Sequence, residues 1–143
     1  NQINPARYMT FMGAIAAGGN GALPHLVASV TVEGEQTYTA ETKMSGRLMS
    51  EETAALVQEY LRSTVVNMYG TMHFPDMTVC GKSGTSQLGG DLTSNAMFAG
   101  FVTDEEYPLA FVCAVENGGY GAATCIPILS SVLARCKAVL DAQ

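Results

Sequence analysis

The chain has 143 residues, of which 48% are hydrophobic and 14% charged, with a formal net charge of −6. These values specify one globular domain with enough apolar matter for a real core, and exclude disordered and coiled-coil classes. The acidic balance, with no basic patch, argues against nucleic acid as a partner.

Taken in chain order, residues 4 to 17 read as a helix. Asn4 is a good N-cap, Pro5 takes the first helical position, and Tyr8, Met12 and Ile15 form a stripe that stops at Gly18-Gly19. Residues 26 to 44 alternate loosely and carry Thr, Val and Tyr, which predicts a short hairpin or irregular strands. A second helix starts after Ser50 with Glu51 and Glu52 in its first turn. Val57, Leu61, Val65 and Met68 give it an apolar face, and Gly70 closes it.

Three strands are expected over residues 77 to 82, 96 to 103 and 108 to 116, followed by a helix from about Ala122 to Leu140. The second and third strands are apolar on both faces, as buried strands are, and need cover on each side. It is not evident from the sequence that the chain supplies both covers. The expected fold class is α/β of the α+β type, a three-stranded antiparallel sheet packed with helices, with the C-terminal helix on one face. No apolar run reaches the length of a membrane span, and no signal peptide is recognisable. The start at Asn1 suggests a processed product or a piece of a longer chain.

The four cysteines, Cys80, Cys113, Cys125 and Cys136, form no C-x-x-C pair, so zinc is not suggested. Cys125 and Cys136 on one helix lie roughly 16 Å apart, too far to bridge each other. All four read as small hydrophobes. His25 and His73 have no ligand types beside them. No metal or cofactor is expected.

The stretch Val79-Cys-Gly-Lys-Ser-Gly-Thr-Ser-Gln-Leu-Gly-Gly90 suggests two kinds of anion site. A phosphate-binding loop needs a glycine five positions before Gly81, where Asp76 stands, and a helix beginning at Lys82, where Gly84-Thr-Ser-Gln-Leu-Gly-Gly90 is poor helix material. That reading fails. The alternative is a strand edge that accepts an extended peptide with an acidic end. Lys82 then supplies positive charge, Ser83 and Thr85 supply hydroxyls, and Gly84 lets a ligand backbone approach.

Lys82-Ser83-Gly84, extended by Thr85, resembles the K-[ST]-G motif of penicillin-binding proteins and serine β-lactamases. The flanks resemble the transpeptidase domain of high-molecular-weight penicillin-binding proteins more than a β-lactamase. Asn4-Pro-Ala-Arg-Tyr-Met-Thr-Phe-Met-Gly-Ala-Ile-Ala-Ala-Gly-Gly-Asn20 is similar to that family's T-P-x-Q-x-A…A-x-A-N-G-G helix, followed by Pro24-His-Leu-Val27. Val65-Val66, Ala96 to Val102 and Val112 to Asn117 fit the same pattern, with Met97-Phe98 where the family usually has Trp-Phe. The resemblance runs over nearly all of residues 1 to 143, but only over the C-terminal part of the family's domain, so the fold it implies is a partial β-lactamase/transpeptidase-like fold.

The resemblance implies a peptidoglycan D,D-transpeptidase acting on D-alanyl-D-alanine stem peptides through an acyl-serine, and trapped by β-lactams. It implies that Lys82 adds positive potential to the catalytic cluster and substrate carboxylate, that Ser83 and Thr85 hydrogen-bond that carboxylate, and that the Thr85 N–H is half of an oxyanion hole. Asp91 is a candidate contact at the cleft rim. It further implies an extracytoplasmic location with a membrane anchor outside this sequence, where four cysteines are unusual.

The family's S-x-x-K and S-x-N motifs are not present: no serine has Lys three positions on or Asn two positions on. In the family both lie upstream. Ser83 is a poor replacement, because Lys82 beside it points to the opposite face of a strand. The expectation is a fragment that is inactive alone and self-associates through sheet surface left bare. The same alternation sets Lys82 and Thr85 on opposite faces, which a bulge near Gly84 could reconcile. Two other readings stay open, a non-catalytic peptide- or partner-binding module and a β-lactam sensor or β-lactamase-like hydrolase.

Overall fold

The computed structural model describes residues 3–74, 76–87, 89 and 93–142. It is a mixed α/β chain built on a three-stranded antiparallel sheet, with a long C-terminal helix against one face.

Helix α1 spans Pro5–Ala16, and the Asn4 side chain caps it by accepting the N–H groups of Ala6 and Arg7. Four short strands follow. β1 (Asn20–Ala22) pairs with β4 (Met44–Arg47), while β2 (Ser29–Val32) and β3 (Glu35–Thr39) form a hairpin. That hairpin turns at Glu33 and Gly34, both with positive φ, the geometry that matches strand twist. The short hairpin expected within residues 26 to 44 is thus present as β2-β3, while β4, at the end of that segment, pairs back to β1.

Helix α2 runs over Glu51–Thr64, capped by the Ser50 hydroxyl on the Thr53 N–H. It continues as one π-helical turn over Val65–Tyr69, where Gly70 N–H donates to Val65 C=O five residues back. A π-turn holds one extra residue, so the apolar stripe slips by one position. Met68, expected on the buried face, is 71% exposed, and Tyr69 packs against the core instead.

The central sheet has the order β5-β6-β7, with β5 at Val79–Ser86, β6 at Asn95–Val102 and β7 at Ala110–Val115. β5 runs farther than the sequence suggested, so the Lys82-Ser83-Gly84-Thr85 stretch lies within the strand. Its register with β6 is unbroken, from Val79↔Val102 to Ser86↔Asn95. The bulge considered near Gly84 is not there.

Alternation sorts the sheet into two faces. Val79, Ala96, Phe98 and Val102 pack with Cys125, Ile126, Leu129 and Leu133 of helix α3 (Gly121–Leu140). Cys80, Ala99 and Phe101 face Met12 and Ile15 of α1, with Val57 and Leu61 of α2 alongside. The chain thus covers both faces of β6. Fully buried Phe98 and Phe101 anchor the two layers, and truncating a buried Phe typically costs about 3–5 kcal/mol. Gly81 makes room for one of them, since a Cβ there would sit 2.5 Å from the Phe98 ring and 2.9 Å from the Ala99 carbonyl oxygen.

Helix α3 is long and apolar enough to cross a membrane by length and composition, with a mean hydropathy of 1.5. Its buried stripe on the sheet accounts for part of that composition. Its outer side still shows Ile128, Val132 and Val139, each more than 40% exposed.

Candidate active-site edge

β5 pairs only with β6, so among the described residues no strand covers its other edge. Antiparallel pairing directs the N–H and C=O of alternate residues to alternate edges. The Ser83 N–H donates to the Tyr69 hydroxyl at 3.0 Å, and the Arg62 guanidinium donates to the Val79 carbonyl at 2.9 Å. Odd-numbered residues of β5 therefore turn their backbone groups to the open edge. The Thr85 N–H and C=O share it.

The side chains follow the other alternation. Ser83 and Thr85 lie on the α3 face, opposite Phe98 and Ala96. Lys82 lies on the α1 face, opposite Ala99. The predicted conflict between Lys82 and Thr85 is thus real for the side chains, yet the edge resolves it. Lys82 folds over the edge, and its Nζ donates to the Ser83 carbonyl at 2.8 Å. A long stem carries the ammonium from one face to the edge where the Thr85 N–H emerges.

The two hydroxyls have protein partners. Ser83 Oγ is 2.9 Å from the Tyr69 hydroxyl. Thr85 Oγ1 accepts the Gly121 N–H at 3.1 Å, at the start of α3, whose own N-cap residue Tyr120 provides no side-chain bond. A hydroxyl that accepts one hydrogen bond keeps its proton to donate. A Cβ at Gly84 would meet only Met97 Cβ at 3.8 Å, an ordinary contact, so packing within the chain does not demand glycine there.

Tyr69 is the member of this cluster that sequence reasoning missed. Its ring leans on Phe98 with centroids 5.3 Å apart. Burial pushes its phenol up, but the Ser83 hydroxyl, the Ser83 N–H and the Lys82 ammonium outweigh that and hold it below its usual 10. The only sequence signal for it is its place four residues after Val65, which matters only once the π-turn is known. Asp91 lies outside the described residues. Among the described residues no group of His, Cys, Asp or Glu is placed to hold a metal ion.

An edge strand that brings together an ammonium, an N–H with no partner among the described residues and two hydroxyls can hold a carboxylate and polarise a carbonyl. The penicillin binding protein transpeptidase domain family matches residues 1–134. The chain belongs to that family. A search of curated proteins returned no match.

Solved structures of similar fold include penicillin-binding protein A from Mycobacterium tuberculosis as a ceftriaxone acyl-enzyme complex, with TM-score 0.79 and 23% identity over 90% of this chain and 31% of that one. The D,D-transpeptidase domain of a peptidoglycan glycosyltransferase from Eggerthella lenta has TM-score 0.73 and 27% identity, over 88% of this chain and 30% of that one. PBP2 of Pseudomonas aeruginosa in complex with WCK 5153 has TM-score 0.65 and 23% identity, over 89% and 29%. The chain spans about a third of the length of each of these chains.

Proposed function

We propose that residues 1–143 are the C-terminal, motif-bearing part of a peptidoglycan D,D-transpeptidase domain, and that the open edge of β5 is one wall of its acyl-transfer cleft. The observation that carries this is the convergence of the Lys82 ammonium and the Thr85 N–H on one edge, although their side chains lie on opposite faces.

In this reading a serine outside these 143 residues attacks the carbonyl between the two terminal D-alanines of a stem peptide. The Thr85 N–H supports the oxyanion, and an oxyanion donor of this kind is worth about 3 kcal/mol. The terminal D-alanine leaves, and the acyl group passes to the amine of a second stem peptide. Lys82 and the hydroxyls of Ser83 and Thr85 receive the substrate carboxylate, and Gly84 leaves space for its backbone. A β-lactam occupies the same place and stays on the serine. The full protein works on the outer side of the cytoplasmic membrane, held by an anchor outside this sequence. Residues 1–143 alone, without S-x-x-K, are inactive. With both sheet faces covered, they self-associate instead through the edge of β7, which no strand covers among the described residues, and the exposed Ile128, Val132 and Val139 side of α3. Light scattering tests this last point, and a monomer at high concentration counts against it.

The deciding experiment is intact-protein mass after incubation with a penicillin. The full-length protein is expected to gain one drug mass and the 143-residue chain none. Lys82→Met in the full-length protein should slow the gain about 100-fold, as loss of an electrostatic contact in an acyl-transfer site does. No adduct on the full-length protein would sink the transpeptidase reading in favour of a binding module. An adduct on the 143-residue chain would place the nucleophile here, with Ser83 first to be mutated.

A further inference from the structure

We propose that Tyr69 is a positioning residue of this cleft: its hydroxyl takes the Ser83 N–H on the β5 edge, holds the Lys82-Ser83 segment in place, and ends the stretch of edge that an extended ligand can pair with. The proposal rests on the transpeptidase reading for its consequence in the reaction, and on geometry for the contact itself.

The open edge of β5 is not uniformly free. At its start the Arg62 guanidinium occupies the Val79 carbonyl. Four residues along the strand Tyr69 occupies the Ser83 N–H, and Lys82 occupies the Ser83 carbonyl. Arg62 and Tyr69 both come from α2 and its π-helical end, so one helix shields the first part of this edge. Thr85 is the next residue whose backbone groups face the same way. A ligand strand pairing with β5 therefore begins at Thr85, and cannot slide back by one pair to Ser83, because the Ser83 groups are already bonded. A slip of two residues would carry the scissile carbonyl about 7 Å from the Thr85 N–H, far outside hydrogen-bond reach.

The phenol does this through three contacts at once. It accepts the Ser83 N–H at 3.0 Å, shares a hydrogen bond with Ser83 Oγ at 2.9 Å, and is held from behind by the Phe98 ring. The π-turn is what aims it there. Without the extra residue the apolar stripe of α2 points to Met68, whose thioether is only a weak acceptor for the amide.

Tyr69→Phe in the full-length protein separates the hydroxyl from the ring, since Phe keeps the packing on Phe98. Two quantities are read. Amide hydrogen exchange at Ser83 is expected to speed up by about tenfold or more on loss of its acceptor. Penicillin acylation, resolved into a dissociation constant and a first-order acylation constant, should show the acylation constant falling about tenfold with the dissociation constant little changed, the signature of misplaced rather than missing contacts. Unchanged Ser83 exchange overturns the proposal, as does an acylation constant equal to wild type. A wild-type protein that takes up no penicillin removes the transpeptidase reading and the reaction half of this proposal together, while Ser83 exchange still decides whether Tyr69 holds the edge.

Discussion

Thr85 Oγ1 accepts the Gly121 N–H at 3.1 Å, so a residue of the motif strand caps the long C-terminal helix 36 positions away. The helix has no cap of its own at Tyr120. Replacing the hydroxyl by a methyl, as Thr85→Val, should cost about 1 kcal/mol of stability, the usual worth of an N-cap acceptor. Thr85→Ser should restore most of it. Urea denaturation midpoints check this, and a Val variant as stable as wild type would show that the contact carries no weight.

Gly121 cannot be replaced without moving the motif. A Cβ there would lie 2.2 Å from the Gly84 carbonyl oxygen and 2.7 Å from that of Met97, both backbone atoms that cannot turn aside. Gly121→Ala should destabilise the protein by more than about 2 kcal/mol and displace the start of α3 from β5. A thermal unfolding curve reads the first effect, and the Gly84 amide shift reads the second.

Asp104, in the turn between β6 and β7, clamps the approach to β5. Its carboxylate accepts the Thr78 N–H at 2.5 Å and the Thr78 hydroxyl at 2.8 Å. Asp104→Ala leaves both donors without their partner and should cost about 1–3 kcal/mol. The Asn variant, with one carbonyl acceptor left, should fall between. Equal midpoints for Ala and wild type would mean that water replaces the carboxylate fully.

The buried thiols set an alkaline limit. Burial pushes Cys80 up to about 11, and burial with the neighbouring Cys113 pushes Cys125 up to about 12, from an ordinary value of 9.0. Between these values the unfolded thiols have lost protons that the folded ones keep, so the unfolded state binds fewer protons and stability falls as pH rises. The contribution is whole below pH 9 and is lost on the way to pH 11 and 12. Unfolding midpoints from pH 8 to 11 should drop, and Cys80→Ala should flatten part of the drop. Iodoacetamide at pH 8 should reach Cys80 and Cys125 only on unfolding.

Much of the fold was legible in the sequence because its signals are local. Asn4 and Ser50 announce their helices through caps two or three residues away, and α3 is visible in the spacing of Ile126, Leu129 and Leu133. The stretches apolar on both faces around Phe98 and Val112 marked buried strands. Lys82, Ser83, Gly84 and Thr85 could be singled out because the four are consecutive. The hairpin of β2 and β3 was less clear, since its strands are exposed on both faces and carry no burial pattern.

The sequence by itself determined the three helices, the central strands and the residues of the motif, because each depends on neighbours within one or two turns of chain, whereas cover for both faces of the sheet came only from how α1, α2 and α3 pack on it. The tertiary structure alone decided how those residues meet. Lys82 and Thr85 point apart along the strand, and only an uncovered sheet edge lets an ammonium and an N–H converge. Tyr69 enters the site through one extra residue in a helical turn, a choice made by packing on Phe98 and by a hydrogen bond 14 positions away. Contacts at that range depend on where the helix lies against the strand, and no local pattern encodes that.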